Sequence, residues 1–146
     1  MLKKMLKNER GLTLIELLAV VVILGIIAAI AVPAIGNVIA NSKGNAVKSE
    51  VVNVFNSSKL YTSANGVPAS GTLTATELDD NLENVNYLAT GYSVKANVTP
   101  MTFSGSATIG KEKFTFLNAT LADVNKINGN TRTGLPTTIT LTDVTQ

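Results

Sequence analysis

Nineteen consecutive residues, Leu17–Ile35, carry neither a charge nor a polar side chain, and a single carboxylate, Glu16, stands immediately before them. As a helix rising ~1.5 Å per residue, such a run crosses roughly the 30 Å hydrocarbon core of a bilayer. An ionised side chain near hydrocarbon costs on the order of 2 to 4 kcal/mol, so Glu16 calls for a partner and a purpose. Lys3, Lys4, Lys7 and Arg10 precede it. Bases on that side of a span anchor it in the cytoplasm and leave the C-terminal part translocated.

Between the bases and the apolar run stands Gly11-Leu12-Thr13-Leu14-Ile15-Glu16-Leu17-Leu18. This stretch resembles the processing and methylation site of type IV prepilins, whose short basic leader is cut after the glycine. Counted from that cut, Glu16 is fifth, Gly25 fourteenth and Pro33 twenty-second, as in many pilins and pseudopilins. Leu12 departs from the family, which usually has phenylalanine there.

The resemblance implies a leader, residues 1–11, removed between Gly11 and Leu12 by a prepilin peptidase, with N-methylation of Leu12. It implies assembly roles for Glu16, Gly25 and Pro33, and a homo-oligomeric helical filament raised by a pilus ATPase and platform machinery. The precursor is then a single-pass protein of the cytoplasmic membrane, and the mature subunit part of an extracellular pilus serving adhesion, motility or biofilm formation. The implied fold is α+β, the type IV pilin fold: a long N-terminal helix, half membrane-spanning and half amphipathic, under a small antiparallel sheet. The corresponding parts are 12–35 for the membrane and filament-core half and 36–146 for the exported head, itself divided into helix 36–64 and head 65–146. In such filaments the helix between the glycine and the proline is often unwound, although both residues are tolerated in membrane helices generally.

Other readings share parts of this pattern. An ordinary signal peptide also begins with bases and an apolar core, and Ala29-Ile30-Ala31 would serve as its cleavage site. The length of the run, Glu16 at its head and Pro33 just past that site argue against it. A pseudopilin of type II secretion or DNA uptake has the same N-terminal logic, and a single-pass adhesin that never polymerises is a reading of another class. Against the secretion pseudopilin, the chain has no tryptophan.

The chain has 146 residues and a formal charge of +2, distributed as +3 over residues 1–11 and −1 over residues 12–146. The basic character therefore belongs to the leader and is not a sign of nucleic-acid binding. Cysteine and histidine are both absent. The exported part must be held by its core and its neighbours, without disulfides.

Past the membrane segment, Val47, Val51, Val54, Phe55 and Tyr61 recur on one helical face, while Lys48, Asn53, Asn56 and Lys59 fall mostly elsewhere. Asn65-Gly66-Val67-Pro68 reads as a left-handed cap followed by a residue that cannot continue a helix. Leu12 to Ala64 is then one helix, ~80 Å long; two helices broken near Gly36 to Gly44 are the alternative. Thr74-Ala75-Thr76-Glu77 is a capping box opening a short helix with Leu78, Leu82 and Val85 inward. Tyr92, Val94, Ala96 and Val98 alternate as a strand with one buried face. Ala107-Thr108-Ile109 and Phe114-Thr115-Phe116 flank a hairpin turn, Leu121, Val124 and Ile127 form a helical turn or a loop, Asn128-Gly129-Asn130 marks a turn, and Thr137 to Leu141 is a last strand. The expected head is a sheet of three to five antiparallel strands laid on the second half of the long helix.

Chemistry of the catalytic kind has little to stand on. Without histidine or cysteine, and with no nucleophile elbow, phosphate loop, cofactor motif or metal spacing, the chain does not read as an enzyme. The acids Glu77, Asp79, Asp80 and Glu83 could be weighed as a calcium site, but their spacing is not a calcium loop, and acids in the first turns of a helix are favoured by its dipole alone. Asn56-Ser57-Ser58, Asn97-Val98-Thr99 and Asn118-Ala119-Thr120 match the glycosylation acceptor, as chance allows in so many asparagines and threonines. The tyrosines and phenylalanines form no basic and aromatic stripe for nucleic acid.

Overall fold

The structure is a computed structural model that describes residues 2–82, 85–127 and 134–143, with side chains described from Thr13 to Thr142 within those ranges. It divides into two compact units, Met1–Val38 and Ile39–Gln146. The first unit is helical. The second combines helix with an antiparallel sheet, which makes the architecture α+β and pilin-like.

A single helix, α1, runs over Leu2–Asn65 and contains Pro33. It begins ahead of the expected Leu12, because Leu2, Lys3, Lys4, Met5, Leu6 and Lys7 are themselves good helix formers. It continues through Gly36 to Gly44 without interruption, so two separate helices are not what forms. It ends where the sequence asks: Gly66 takes φ +79° and donates its N–H to the Thr62 carbonyl at 2.9 Å, closing the last turn.

In the second unit the strands follow chain order across the sheet, β1 (Thr72–Thr74), β2 (Ser93–Lys95), β3 (Thr102–Ile109), β4 (Glu112–Thr120) and β5 (Ile139–Asp143), every pair antiparallel. The β3–β4 hairpin is longer than its sequence signal, since Thr102↔Thr120 already pair. Its connection is Gly110-Lys111, and Gly110 takes φ +63° at the first of the two positions, where tight hairpin turns ask for glycine. Between Phe103↔Ala119 and Gly105↔Phe116 the register shifts, with the additional residue on β4. There Asn118 adopts φ 52°, its N–H donates to Ser104 Oγ at 3.0 Å, and Leu117 stands out into solvent.

The core forms where Val47, Val51, Val54 and Phe55 of α1 meet Leu73, Val94, Phe103, Phe114, Phe116 and Ala119 of the sheet. Phe103 is its centre. Its ring lies 6.4 Å from Phe55, 5.9 Å from Tyr92 and 5.3 Å edge-on from Phe116. The inward face of α1 is therefore the one the spacing predicts, with Tyr61 only partly buried at its end and Asn53, Asn56 and Lys59 exposed.

Several expectations shift by local chemistry. β2 stops at Lys95 and Val98 is 40 % exposed, because the N–H groups of Ala96 and Asn97 converge on the Gly71 carbonyl at 2.9 and 3.3 Å and turn the chain out of the sheet. The capping box at Thr74 opens only four helical residues, α2 (Ala75–Leu78), followed by a 3-10 turn at Asp79–Asn81. Leu78 is buried, and Leu82 and Val85 pack against the core from the segment beyond. Leu121–Asn125 forms a helical turn, α3, rather than a loop. Its start is a second capping box: Thr120 N–H and Oγ1 donate to Asp123 Oδ2 at 3.1 and 2.9 Å, and Asp123 N–H returns to Thr120 Oγ1 at 3.2 Å. The expected turn at Asn128-Gly129-Asn130 lies outside the described residues, as does Glu83. The last strand is displaced from Thr137–Leu141 to Ile139–Asp143.

Candidate functional site

The site singled out by sequence is carried by α1, and its backbone is helical throughout Gly11, Leu12, Glu16, Gly25 and Pro33. Glu16 follows Leu12 by four residues, one helical turn. Its side chain is exposed, as are the large apolar residues along the stretch that follows and precedes it: Leu14 is 72 % exposed, Leu17 68 % and Ile30 70 %. Nothing in the apolar stretch at the start of this helix is buried by the chain itself, and the helix is long and apolar enough to cross a membrane. A helix that is hydrophobic on every side is stable only where lipid or other helices surround it.

Gly25 and Pro33 both lie within this helix, with different physical consequences. A Cβ placed on Gly25 would meet nothing within 4 Å, so the chain's own packing does not require glycine there. Pro33 supplies no N–H, which leaves the Ala29 carbonyl without its usual helical donor and makes this turn the weakest in the segment.

Within the acidic group beyond β1, Glu77 serves as the cap of α2. Glu77 Oε2 accepts the Thr74 N–H at 2.7 Å and the Thr74 hydroxyl at 2.9 Å. Those two bonds hold the Glu77 carboxyl below its ordinary range. Among the described residues no three acids, cysteines or histidines gather as a metal site.

One structurally important residue lies outside every sequence motif considered above. Glu50, only 7 % exposed, sits on the buried face of α1 and accepts N–H groups from Asn86, Tyr87 and Leu88 at 2.8 to 3.2 Å. A carboxylate among Val47, Val51 and Val54 at helical spacing was the available signal, since an acid on an apolar face must find donors.

Residues 6–32 match the family described as the prokaryotic N-terminal methylation motif. The chain carries the prepilin-type signal. In this setting Gly11 and Leu12 fall inside the matched segment, as do Glu16 and Gly25, whereas Pro33 lies just beyond it. The signal marks a substrate of prepilin peptidase and places the chain in the context of pilus-type machinery. Together with the exposed apolar helix it fits a membrane-anchored, pilin- or pseudopilin-like precursor. No solved structure matches the chain.

Proposed function

We propose that this chain is the structural subunit of a type IV pilus or a closely related filament. The observation that carries the reading is the prepilin-type signal at the head of a helix whose apolar surface the chain leaves wholly uncovered. The precursor waits in the cytoplasmic membrane, loses residues 1–11 between Gly11 and Leu12, and exposes the Leu12 amine, which is then methylated. In the filament Glu16 of one subunit meets that amine on a neighbour. A charge that costs about 3 to 5 kcal/mol when buried without its partner disfavours subunits docked out of register.

The remaining cohesion comes from helix packing through Ala28, Ala29, Ala31 and the branched residues around them, with Gly25 allowing close approach. The weak turn at Pro33 is where α1 unwinds when subunits pack. A cytoplasmic ATPase and its platform supply the driving force, and this chain performs no catalysis. The finished filament is extracellular and serves adhesion, motility or biofilm formation.

Intact mass and N-terminal sequencing of the mature protein test the first step. Loss of residues 1–11 with a methylated Leu12 is expected, whereas a new N-terminus at Val32 would end the reading in favour of a signal peptide. Electron microscopy of cells labelled for this protein tests the second. Long surface filaments, lost in Glu16→Ala despite normal processing, are expected. Short filaments would assign the chain as a pseudopilin, diffuse membrane label as an adhesin, and normal filaments from Glu16→Ala would sink the assembly mechanism.

A further inference from the structure

Asparagine is one of the poorer residues for the interior of an exposed helix, because its short amide competes for the backbone. α1 nevertheless carries two exposed asparagines, Asn53 and Asn56, three residues apart and so neighbours on one helical face. Neither side chain makes a hydrogen bond with another described residue, so nothing within the chain offsets their effect on the helix. Local rules broken without internal compensation are characteristic of functional sites.

Both asparagines line a cleft of about 390 Å³ between α1 and the 3-10 turn at Asp79–Asn81, together with Ser57, Asp80, Asn81 and Leu82. Its size falls at the lower end of small-ligand sites. Two hydrogen bonds hold it in shape. The hydroxyl of the buried Ser57 donates to the Asn81 carbonyl at 3.0 Å, and the Leu82 N–H closes the turn on the Asp79 carbonyl at 3.2 Å. The Asp80 carboxylate and the Asn81 side-chain amide, both exposed, likewise make no hydrogen bond with another described residue. Three amides and one carboxylate therefore stand unused around one cleft, and every lining residue belongs to the second compact unit.

The chemistry of that set narrows the ligand. No lysine or arginine lines the cleft, so an anion finds no counter-charge there. A single carboxylate is a thin ligand set for a divalent cation, which takes six or more oxygens. An amide presents a donor and an acceptor together, and a carboxylate accepts two hydrogen bonds side by side. Adjacent hydroxyls, each both donor and acceptor, satisfy that pattern, and the partly buried Leu82 side chain offers an apolar strip to the carbon face of a ring. We propose that this cleft binds one neutral pyranose ring of a sugar, its adjacent hydroxyls held by Asp80, Asn53, Asn56 and Asn81. The inference goes beyond the filament reading and does not depend on it, since the whole site lies within one chain.

The full-length, isotope-labelled protein in phosphocholine micelles, a detergent without a sugar headgroup, is titrated with methyl glucoside, methyl mannoside, methyl galactoside and N-acetylglucosamine while the asparagine side-chain amide signals are followed by NMR. Saturable shifts of the Asn53, Asn56 and Asn81 signals with at least one of these sugars, at millimolar dissociation constants, are expected. Hydroxymethyl tetrahydropyran, a similar ring without adjacent hydroxyls, should give none. Asp80→Ala should weaken binding by about tenfold, the loss expected for a hydrogen bond to a charged group. Asn53→Ala should weaken it several-fold while raising the melting temperature, since alanine is the better helix former, and a purely structural role for Asn53 would not separate those two readouts. No saturable shift with any of the sugars, an equal response to hydroxymethyl tetrahydropyran, or unchanged affinity in Asp80→Ala overturns the site. Shifts produced by calcium chloride and by none of the sugars overturn it in favour of a cation. Normal filaments from Glu16→Ala would sink the assembly mechanism and leave these titrations untouched, so the two readings fail separately.

Discussion

Glu50 grips the Tyr87 N–H with both carboxylate oxygens, at 3.2 and 3.0 Å, and so fixes a loop thirty-seven residues away against the buried face of α1. The neighbouring N–H groups of Asn86 and Leu88 complete the set at 2.8 and 3.1 Å. Three successive backbone donors converging on one carboxylate form a closed polar unit inside an otherwise apolar contact. Glu50→Ala removes every acceptor at once and should destabilise the protein by about 1 to 3 kcal/mol, because the buried Leu88 N–H is left without a partner while those of Asn86 and Tyr87, nearer the surface, can turn to water. Glu50→Gln keeps one oxygen and should lose less. Denaturant unfolding of the mature chain in detergent, followed by tyrosine fluorescence, measures both.

Phe103 is the ring that the other aromatic side chains share, with Phe55, Tyr92 and Phe116 all within 6.4 Å between centroids. Phe103→Ala should cost about 3 to 5 kcal/mol, the range for removing a fully buried phenylalanine. Phe103→Leu should cost clearly less. The same unfolding assay ranks them.

Two glycines on different elements should respond in opposite ways to one added methyl group. A Cβ on Gly105 would stand 2.7 Å from Tyr92 Cβ and 3.2 Å from its backbone Cα, neither of which is a flexible chain end. Gly105→Ala is therefore expected to destabilise the fold by about 1 to 3 kcal/mol. Gly25→Ala meets nothing within 4 Å, and alanine is the better helix former, so it should stabilise the helix by up to about 1 kcal/mol. If helices pack closely at Gly25, the same substitution reduces filament yield on electron micrographs.

The two capping carboxyls, Glu77 and Asp123, are both held below their ordinary ionisation range, chiefly by the backbone N–H of Thr74 and of Thr120 respectively. A carboxyl depressed in the fold binds fewer protons there than in the unfolded chain, so stability rises with pH through that interval. Their contribution is complete above the ordinary values, 4.5 for Glu77 and 3.8 for Asp123, and is lost as pH falls through the lower folded values. Melting temperature plotted against pH should drop below about pH 4.5. The drop should be shallower in Asp123→Asn, which no longer titrates.

The parts of this molecule that follow one-dimensional rules are readable from its residues. The apolar face Val47, Val51, Val54 and Phe55, the stop at Gly66, and the pairing of Phe114 and Phe116 with a strand across Gly110 all obey helical or alternating periods. Whatever depends on a distant partner is not readable in that way. Val98 fits the alternation of its strand, yet Gly71, twenty-seven residues earlier, supplies the carbonyl that turns the chain away. Glu50 shows the same limit, because its donors come from a loop with no pattern of its own. β1 carries no readable signal, since three residues are too few to show a period. At the N-terminus the motif is local, so Gly11, Leu12 and Glu16 stand out at once, while the contacts proposed for Glu16 belong to other copies.

The outermost strands of the sheet, β1 and β5, are three and five residues long. Short edges present few unpaired backbone groups to a neighbouring sheet. A chain crowded among its own copies thereby has little edge on which to template strand on strand into cross-β aggregates. In the filament proposed above, ordered growth would run through the helix, and disordered growth would find little to start from.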